Sequence, residues 1–306
     1  MSRLSKTFLG MLLLVGAAYY WLLVNAGPAN APLRRIDLAQ LRAAANAMPG
    51  KKPTGLEYVV IARREIPGAA LAAGTGLRQV TSGVIAWRLV TPGGGIVIDS
   101  GLMPPDAKAM KMGHYDKRAA ALVGAWMDQA SLILFTHEHI DHVGGFLDHP
   151  AFEAIARKAV ISPELLRGMT SHWRESTGLI PQPRPFPPIM PVAPGVAIIQ
   201  TPGHTPASQM IFVQTADRRE YLFAGDTGSL ADNIMKTTPR SRLLADWLVK
   251  EDRPAVIGWL KGIAALRKKD SKLVVIPSHD PNWIAATAAR DGFVRARAVA
   301  GPAVAK

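Results

Sequence analysis

Apolar positions change period several times along the chain, and the changes delimit its elements. Phe8 to Val24 is an unbroken apolar run without charge, FLGMLLLVGAAYYWLLV, preceded by Arg3 and Lys6. From Ile36 to Ala47 the apolar residues Leu38, Leu41 and Ala45 share one face at helical spacing, between Pro28 and Pro32 on one side and Pro49 and Pro53 on the other. Short β-branched runs then predict strands at Tyr58–Ile61, Val84–Val90 and Ile96–Ile98, the last two joined as a hairpin by Pro92-Gly93-Gly94-Gly95. Ala119, Leu122, Val123 and Trp126 give a helix of about Tyr115 to Asp128, leading into a buried strand at Leu132–Phe135. Further on, helices are expected near Ala151–Lys158 and from Pro163, with a strand at Ala159–Ile161 between them. Strands follow at Val196–Gln200, Met210–Gln214, Glu220–Ala224 and Leu273–Ile276, and helices at Arg240–Val249, Pro254–Lys268 and after Pro281.

Residues 170 to 195 break this rhythm. Seven prolines lie between Pro181 and Pro194, and proline both removes a backbone donor and blocks a helical turn, so neither a central strand nor a helix fits. Trp173, Phe186 and Ile189 make the stretch either an ordered flap over a site or an incidental surface loop.

The chemistry concentrates at strand ends. Directly after Leu132–Phe135 comes Thr136-His137-Glu138-His139-Ile140-Asp141-His142. Three imidazoles and a carboxylate at fixed offsets share one property, the binding of divalent metal through nitrogen and oxygen. Gly144-Gly145 follow, and helix is expected only beyond them, so the segment reads as a loop. Three more candidates each close a strand beside glycine or proline: His204 in Pro202-Gly203-His204, Asp226 in Gly225-Asp226-Thr227, and His279 in Pro277-Ser278-His279. Mixed sheets gather such ends at one edge. Asp99, after the strand Ile96–Ile98, could orient a ligand imidazole or cap a turn. His114 and His149 read as surface or turn residues, and His172, in the proline-rich stretch, could touch substrate.

His137-x-His139-x-Asp141-His142 followed by His204, Asp226 and His279 resembles the dinuclear metallo-β-lactamase-fold hydrolases in order and approximate spacing, over roughly residues 56 to 290. The resemblance implies an α/β, four-layer αββα sandwich of two mixed β-sheets. It also implies two divalent metal ions, usually Zn2+. By the same match His137, His139 and His204 hold the first ion, Asp141, His142 and His279 hold the second, and Asp226 bridges them. Two such ions with Asp141, Asp226 and a bridging hydroxide carry roughly +1, which favours an acyl or phosphoryl oxygen as it becomes negative. The bridging hydroxide is the expected nucleophile, and Asp141 the residue that orients it.

Composition narrows the rest. Cysteine is absent, so thiolate ligands and a cysteine nucleophile are excluded. The net charge of +13 suits anionic surfaces. However, Lys and Arg are spread along the chain without interleaved aromatics, so a nucleic-acid partner is not expected. The charged lead-in, the apolar run and Tyr19-Tyr20-Trp21 indicate export, with residues 1–26 a signal sequence or single membrane anchor. Cleavage would fit Ala29-Asn30-Ala31 and, more loosely, Val24-Asn25-Ala26; if the run is retained, residues 8–24 hold the chain to a membrane with the rest outside the cytoplasm, in a periplasm-like compartment. Residues 27–55 then form a connector with one short helix, and 56–306 the hydrolase domain.

Among hydrolases of this kind, Asp226 argues against a β-lactamase proper, which lacks the bridging aspartate. No lysine lies between His279 and Lys306, where thioesterases of the glyoxalase II kind grip their thiol carrier. Homoserine-lactone hydrolases carry a tyrosine shortly after the bridging aspartate, where this chain has Thr227-Gly228-Ser229-Leu230. The expected substrate is a small ester, lactone or related acyl compound. A metal-dependent nuclease or phosphodiesterase is the alternative, and a non-catalytic metal-binding module is the third reading.

Overall fold

The computed structural model describes residues 2–297; residues 298–306, with Lys306 and the end of the expected hydrolase domain, lie outside them. Eleven strands among the described residues form two mixed sheets. In the first, β1 (Gly55–Pro67) pairs antiparallel with β2 (Gln79–Val90), and β2 with β3 (Ile96–Ile98), so the expected hairpin forms with Trp87 opposite Ile98. The two-residue β4 (His114–Tyr115) adds to β1, and β5 (Leu132–Leu134) runs parallel to β3. The second sheet has β6 (Ile189–Ala193), β7 (Val196–Gln200), β8 (Gln209–Gln214), β9 (Glu220–Phe223) and β10 (Val274–Ile276) side by side. β11 (Phe293–Arg295) closes the chain against β1 in the first sheet.

Strand alternation sorts the apolar residues into three layers. Tyr58, Trp87, Ile98 and Leu134 from the first sheet meet Ile198, Ile211, Val213 and Phe223 from the second. Their neighbours point the other way. Ile61, Val97 and Ile133 pack under the helices Lys117–Gln129 and Ile140–Leu147. Ile199, Phe212 and Leu222 pack under Leu38–Ala45 and Arg253–Lys269. Burial on both faces explains why these strands read as continuous apolar runs, and the result is the αββα sandwich.

Four expectations need correction. The helix after the His-rich segment begins at Ile140, not beyond Gly145, and passes through both glycines to Leu147. The reason is steric: a Cβ on Gly145 would lie 2.3 Å from the carbonyl oxygen of Ser100, and one on Gly144 3.2 Å from the Leu102 Cα. Close backbone packing outweighs the helical penalty of glycine. Ala159–Ile161 makes only a single parallel bridge, Ile133 to Ala159. The proline-rich stretch is not wholly irregular, because Ile189–Ala193 is an edge strand whose register slips between Pro191 and Ala193, where a missing donor is tolerated. Finally, Arg240–Val249 is helical only over Leu243–Leu248, as one wide turn.

The N-terminal helix runs from Arg3 to Val24, long and apolar enough by length and composition to cross a membrane, with none of its apolar window buried. Beyond it, Leu38–Ala45 lies on the outer face of the second sheet with Leu41 and Ala45 fully buried, and Arg42 pairs with Glu220 and Asp270 at 2.6 Å each. Leu41→Ala should therefore lower the unfolding free energy by about 2–5 kcal/mol in denaturant titration. A loss below about 0.5 kcal/mol would mean that this helix does not belong to the core.

Candidate active site

Each sequence-predicted site residue follows the C-terminal end of a strand, and the two sheets bring those ends together. β3 leads to Asp99, β5 to His137, β7 to His204, β9 to Asp226 and β10 to His279. His137, His139, His204 and Asp226 place one nitrogen or oxygen each within 4.8 Å of one another, and Asp141, His142 and His279 do the same beside them. The starting helix puts Asp141 and His142 on its first turn, beside His279.

Bonds from the surroundings fix the ring nitrogens. His279 donates from Nδ1 to the Gly83 carbonyl at 2.8 Å. His204 Nδ1 meets the buried Glu251 carboxylate at 2.7 Å. His142 Nδ1 meets Asp99 at 2.9 Å. Each bond commits Nδ1 as a donor, so Nε2 is the nitrogen directed inwards. Asp99 does both jobs foreseen for it, since it also accepts the Thr136 amide at 2.8 Å and the Thr136 hydroxyl at 2.9 Å. It holds this position with a left-handed backbone, φ 57°.

Inside, His139 Nδ1 lies 3.0 Å from His137 Nε2 and 3.0 Å from His204 Nε2. Three imidazole nitrogens converge on one point, where a cation satisfies them better than any proton arrangement. Asp226 stands between the groups. Its Oδ2 is 3.3 Å from His204 Nε2, and its Oδ1 is 2.8 Å from His279 Nε2. The donor set therefore fits divalent metal.

The electrostatics follow from burial and neighbours. Burial, aided by the His204 charge, pushes His139 down to about 3. Burial and the charge of His142 hold His137 well below the imidazole range. Burial would also lower His142, but Asp99 and Asp141 outweigh it and lift that pKa to about 10. Asp226 is buried too, yet Arg240 and His279 keep its carboxylate ionised well below the usual range.

Sequence reading missed Arg240 and Glu251. Arg240 is buried; its guanidinium contacts Asp226, donates to Glu251 at 3.2 Å and donates to Ser229 at 2.8 Å. Neither lies at a strand end or at a ligand spacing, so no local signal marked them. Glu138, between the first two histidines, turns away to accept from Thr205 at 2.7 Å. His172 donates to the Glu138 carbonyl at 2.7 Å, which ties the proline-rich stretch beside the ligand loop. His149 serves a turn, accepting the Ala151 amide at 3.1 Å, and His114 lies in β4, apart from both groups.

A profile of the metallo-β-lactamase superfamily matches residues 75–279. The chain belongs to that superfamily. No curated protein sequence matches it. Among solved structures, an N-acyl homoserine lactone hydrolase with N-hexanoyl-L-homoserine at its catalytic metal centre is similar at 19% identity. That match covers 77% of this chain and 96% of the other, with a TM-score of 0.58. A probable metal-dependent hydrolase from Staphylococcus aureus is similar at 14% identity, with 76% and 92% covered and a TM-score of 0.56. A dizinc quorum-quenching lactonase is similar at 13%, with 76% and 90% covered and a TM-score of 0.50. At these identities the likeness is one of fold.

Because Asp99 and Asp141 raise the His142 pKa to about 10, a cation taken up by this group would have to expel a proton from that imidazole. Affinity at this group should thus weaken about tenfold per pH unit as pH falls from about 9 to 7, and Asp99→Asn should flatten the dependence. Competition of Co2+ with a chromophoric chelator measures both. A pH-independent affinity in the parent protein would contradict the assignment.

Proposed function

We propose that the chain is an exported, membrane-anchored hydrolase of a small ester, lactone or related acyl compound that depends on two divalent cations, with Zn2+ the ion best matched to nitrogen and carboxylate donors. The observation that carries this reading is Asp226, one buried carboxylate directed with a different oxygen at each group of imidazoles. In this reading His137, His139 and His204 hold one ion, Asp141, His142 and His279 the other, and Asp226 both. When bound, the pair would supply water acidified towards neutrality and an electrophile for the acyl oxygen.

The chain's own residues do the remaining work. Asp141, 3.7 Å from His279 Nε2 and 3.8 Å from His142 Nε2, is kept ionised by those imidazoles despite its burial, and can hold a water by one proton. Glu251 and Asp99 fix His204 and His142. A similar fold with N-hexanoyl-L-homoserine at its catalytic metal centre, and another in complex with a product of that kind, support an acyl substrate. The Thr227–Leu230 stretch, which lacks a tyrosine, leaves the particular lactone open.

Residues 1–26 are assigned to the anchor, 27–55 to a connector and 56–306 to the hydrolase domain. Retention of the anchor is supported by Arg253, which is buried and donates at 2.7 Å to the carbonyls of both Asn25 and Gly27. Cleavage after Ala26 or Ala31 would strip one or both acceptors from it.

A panel of aryl ester, acyl-homoserine lactone, thioester, cephalosporin and phosphodiester, each with added zinc and with chelator, tests the substrate class. Chelator-sensitive turnover of ester or lactone is expected, and turnover of the phosphodiester alone would move the chain to the phosphodiesterase reading. Asp226→Ala and His142→Ala should abolish turnover with circular dichroism unchanged, while Glu251→Ala should cost about 10–100-fold through His204. Full turnover in either of the first two would refute the two-metal site.

A further inference from the structure

The end of the N-terminal helix is not loosely attached. The Leu23 carbonyl accepts the Gly74 amide at 2.9 Å, and the Arg242 guanidinium sits 4.3 Å from the centre of the Trp21 ring. Arg253 then secures Asn25 and Gly27. Three segments meet here: the last helical turn Tyr20–Val24, the loop after Gly68–Leu71, and the wide turn Leu243–Leu248. A bilayer containing the helix must therefore lie against the surface that these segments make.

That surface is apolar where water would meet it. The wide turn reads Leu-Leu-Ala-Asp-Trp-Leu, and Leu244 already packs inwards against the Leu71–Leu230 cluster. The remaining apolar side chains point out: Trp247 is 71% exposed and Leu248 74%, with Leu243 also exposed and Leu77 exposed on the neighbouring loop. A turn that is apolar on both faces has no reason to bury only one of them in water. Arg78 and Lys250 are exposed beside the patch, and Arg242 is shared between Trp21 and Asp246. An aromatic and aliphatic patch flanked by cations, continuous with a helix of membrane-spanning length, has the composition of a lipid-facing interface.

We infer that Leu77, Leu243, Trp247 and Leu248 insert into the headgroup and upper acyl region of the bilayer that holds the N-terminal helix, with the basic residues meeting acidic headgroups. This rests on the anchored reading given above and deepens it. The wide turn is bracketed by Arg240, which contacts Asp226, and Glu251, which fixes His204. The lipid face and two residues that brace the ligand groups are thus parts of one short segment. The substrate class that follows is an acyl compound partitioned into the bilayer, reaching the site from the membrane surface.

The test uses the full chain reconstituted in vesicles of phosphatidylcholine and phosphatidylglycerol, with and without bromine on the upper acyl carbons. Seven tryptophans contribute to the emission, so the parent is compared with Trp247→Phe and Trp21→Phe, and each difference isolates one residue. Roughly half or more of the Trp247 contribution should be quenched by brominated lipid, and less in vesicles without phosphatidylglycerol. Leu248→Trp in the Trp247→Phe background should restore quenching. Quenching of Trp21, with none at Trp247 and none restored by Leu248→Trp, overturns the lipid face and leaves the anchor standing. Quenching at none of these positions overturns both readings. Quenching of Trp247 without Trp21 supports the lipid face and removes the anchor.

Discussion

Asp226 sets the terms for everything around it. A carboxylate buried between two sets of imidazoles is costly unless each oxygen has positive partners, and the fold supplies them from both sheets. β9 delivers Asp226 itself, β7 and β10 bring His204 and His279 to its two oxygens, and β5 brings His137 from the opposite sheet. Arg240 contacts the carboxylate from behind. With the carboxylate neutralised, the site needs the sandwich closed, because no one sheet holds all of these groups. Core and chemistry are thus coupled: the layer of Tyr58, Trp87, Phe223 and Ile276 that joins the sheets also fixes the distance between the ligand groups.

The next constraint is directional. An imidazole is useful to a cation only if its other nitrogen is committed as a donor. His142, His204 and His279 meet this with three different acceptors: a carboxylate on a strained turn, a carboxylate from a distant segment and a backbone carbonyl. The first is costly, since Asp99 adopts a left-handed backbone without glycine's freedom. The bonds it makes to Thr136 and His142 offset that strain.

Much of this was legible in the chain, for a physical reason. Strands buried on both faces read as unbroken apolar runs, so the polar residues that end them stand out, and His137, His204, Asp226 and His279 were all visible in that way. The hairpin through Pro92–Gly95 followed from the same runs, and the sandwich from the resemblance alone. Other features depend on tertiary contact and leave no periodic trace. Gly144 and Gly145 look like a helix stop, and only the backbone of residues 100–102 pressed against them shows why they lie within one. Arg240 and Glu251 are ordinary surface-type residues until the Leu243–Leu248 turn folds them inwards. β11 is three residues long and β6 contains Pro191, so neither carries a strand signal of its own.

The lipid-facing turn lies between Arg240 and Glu251, which brace Asp226 and His204, so membrane attachment and hydrolysis can be read as one design, with the wide turn as their common part. That design stands or falls with the metal pair. The most direct measurement is the metal content of the purified chain after zinc loading and gel filtration, compared with Asp226→Asn. The account predicts two zinc ions per parent chain, each within bonding distance of its histidines by X-ray absorption, and fewer than two in the variant. One ion or none in the parent chain, with the fold intact, would contradict it.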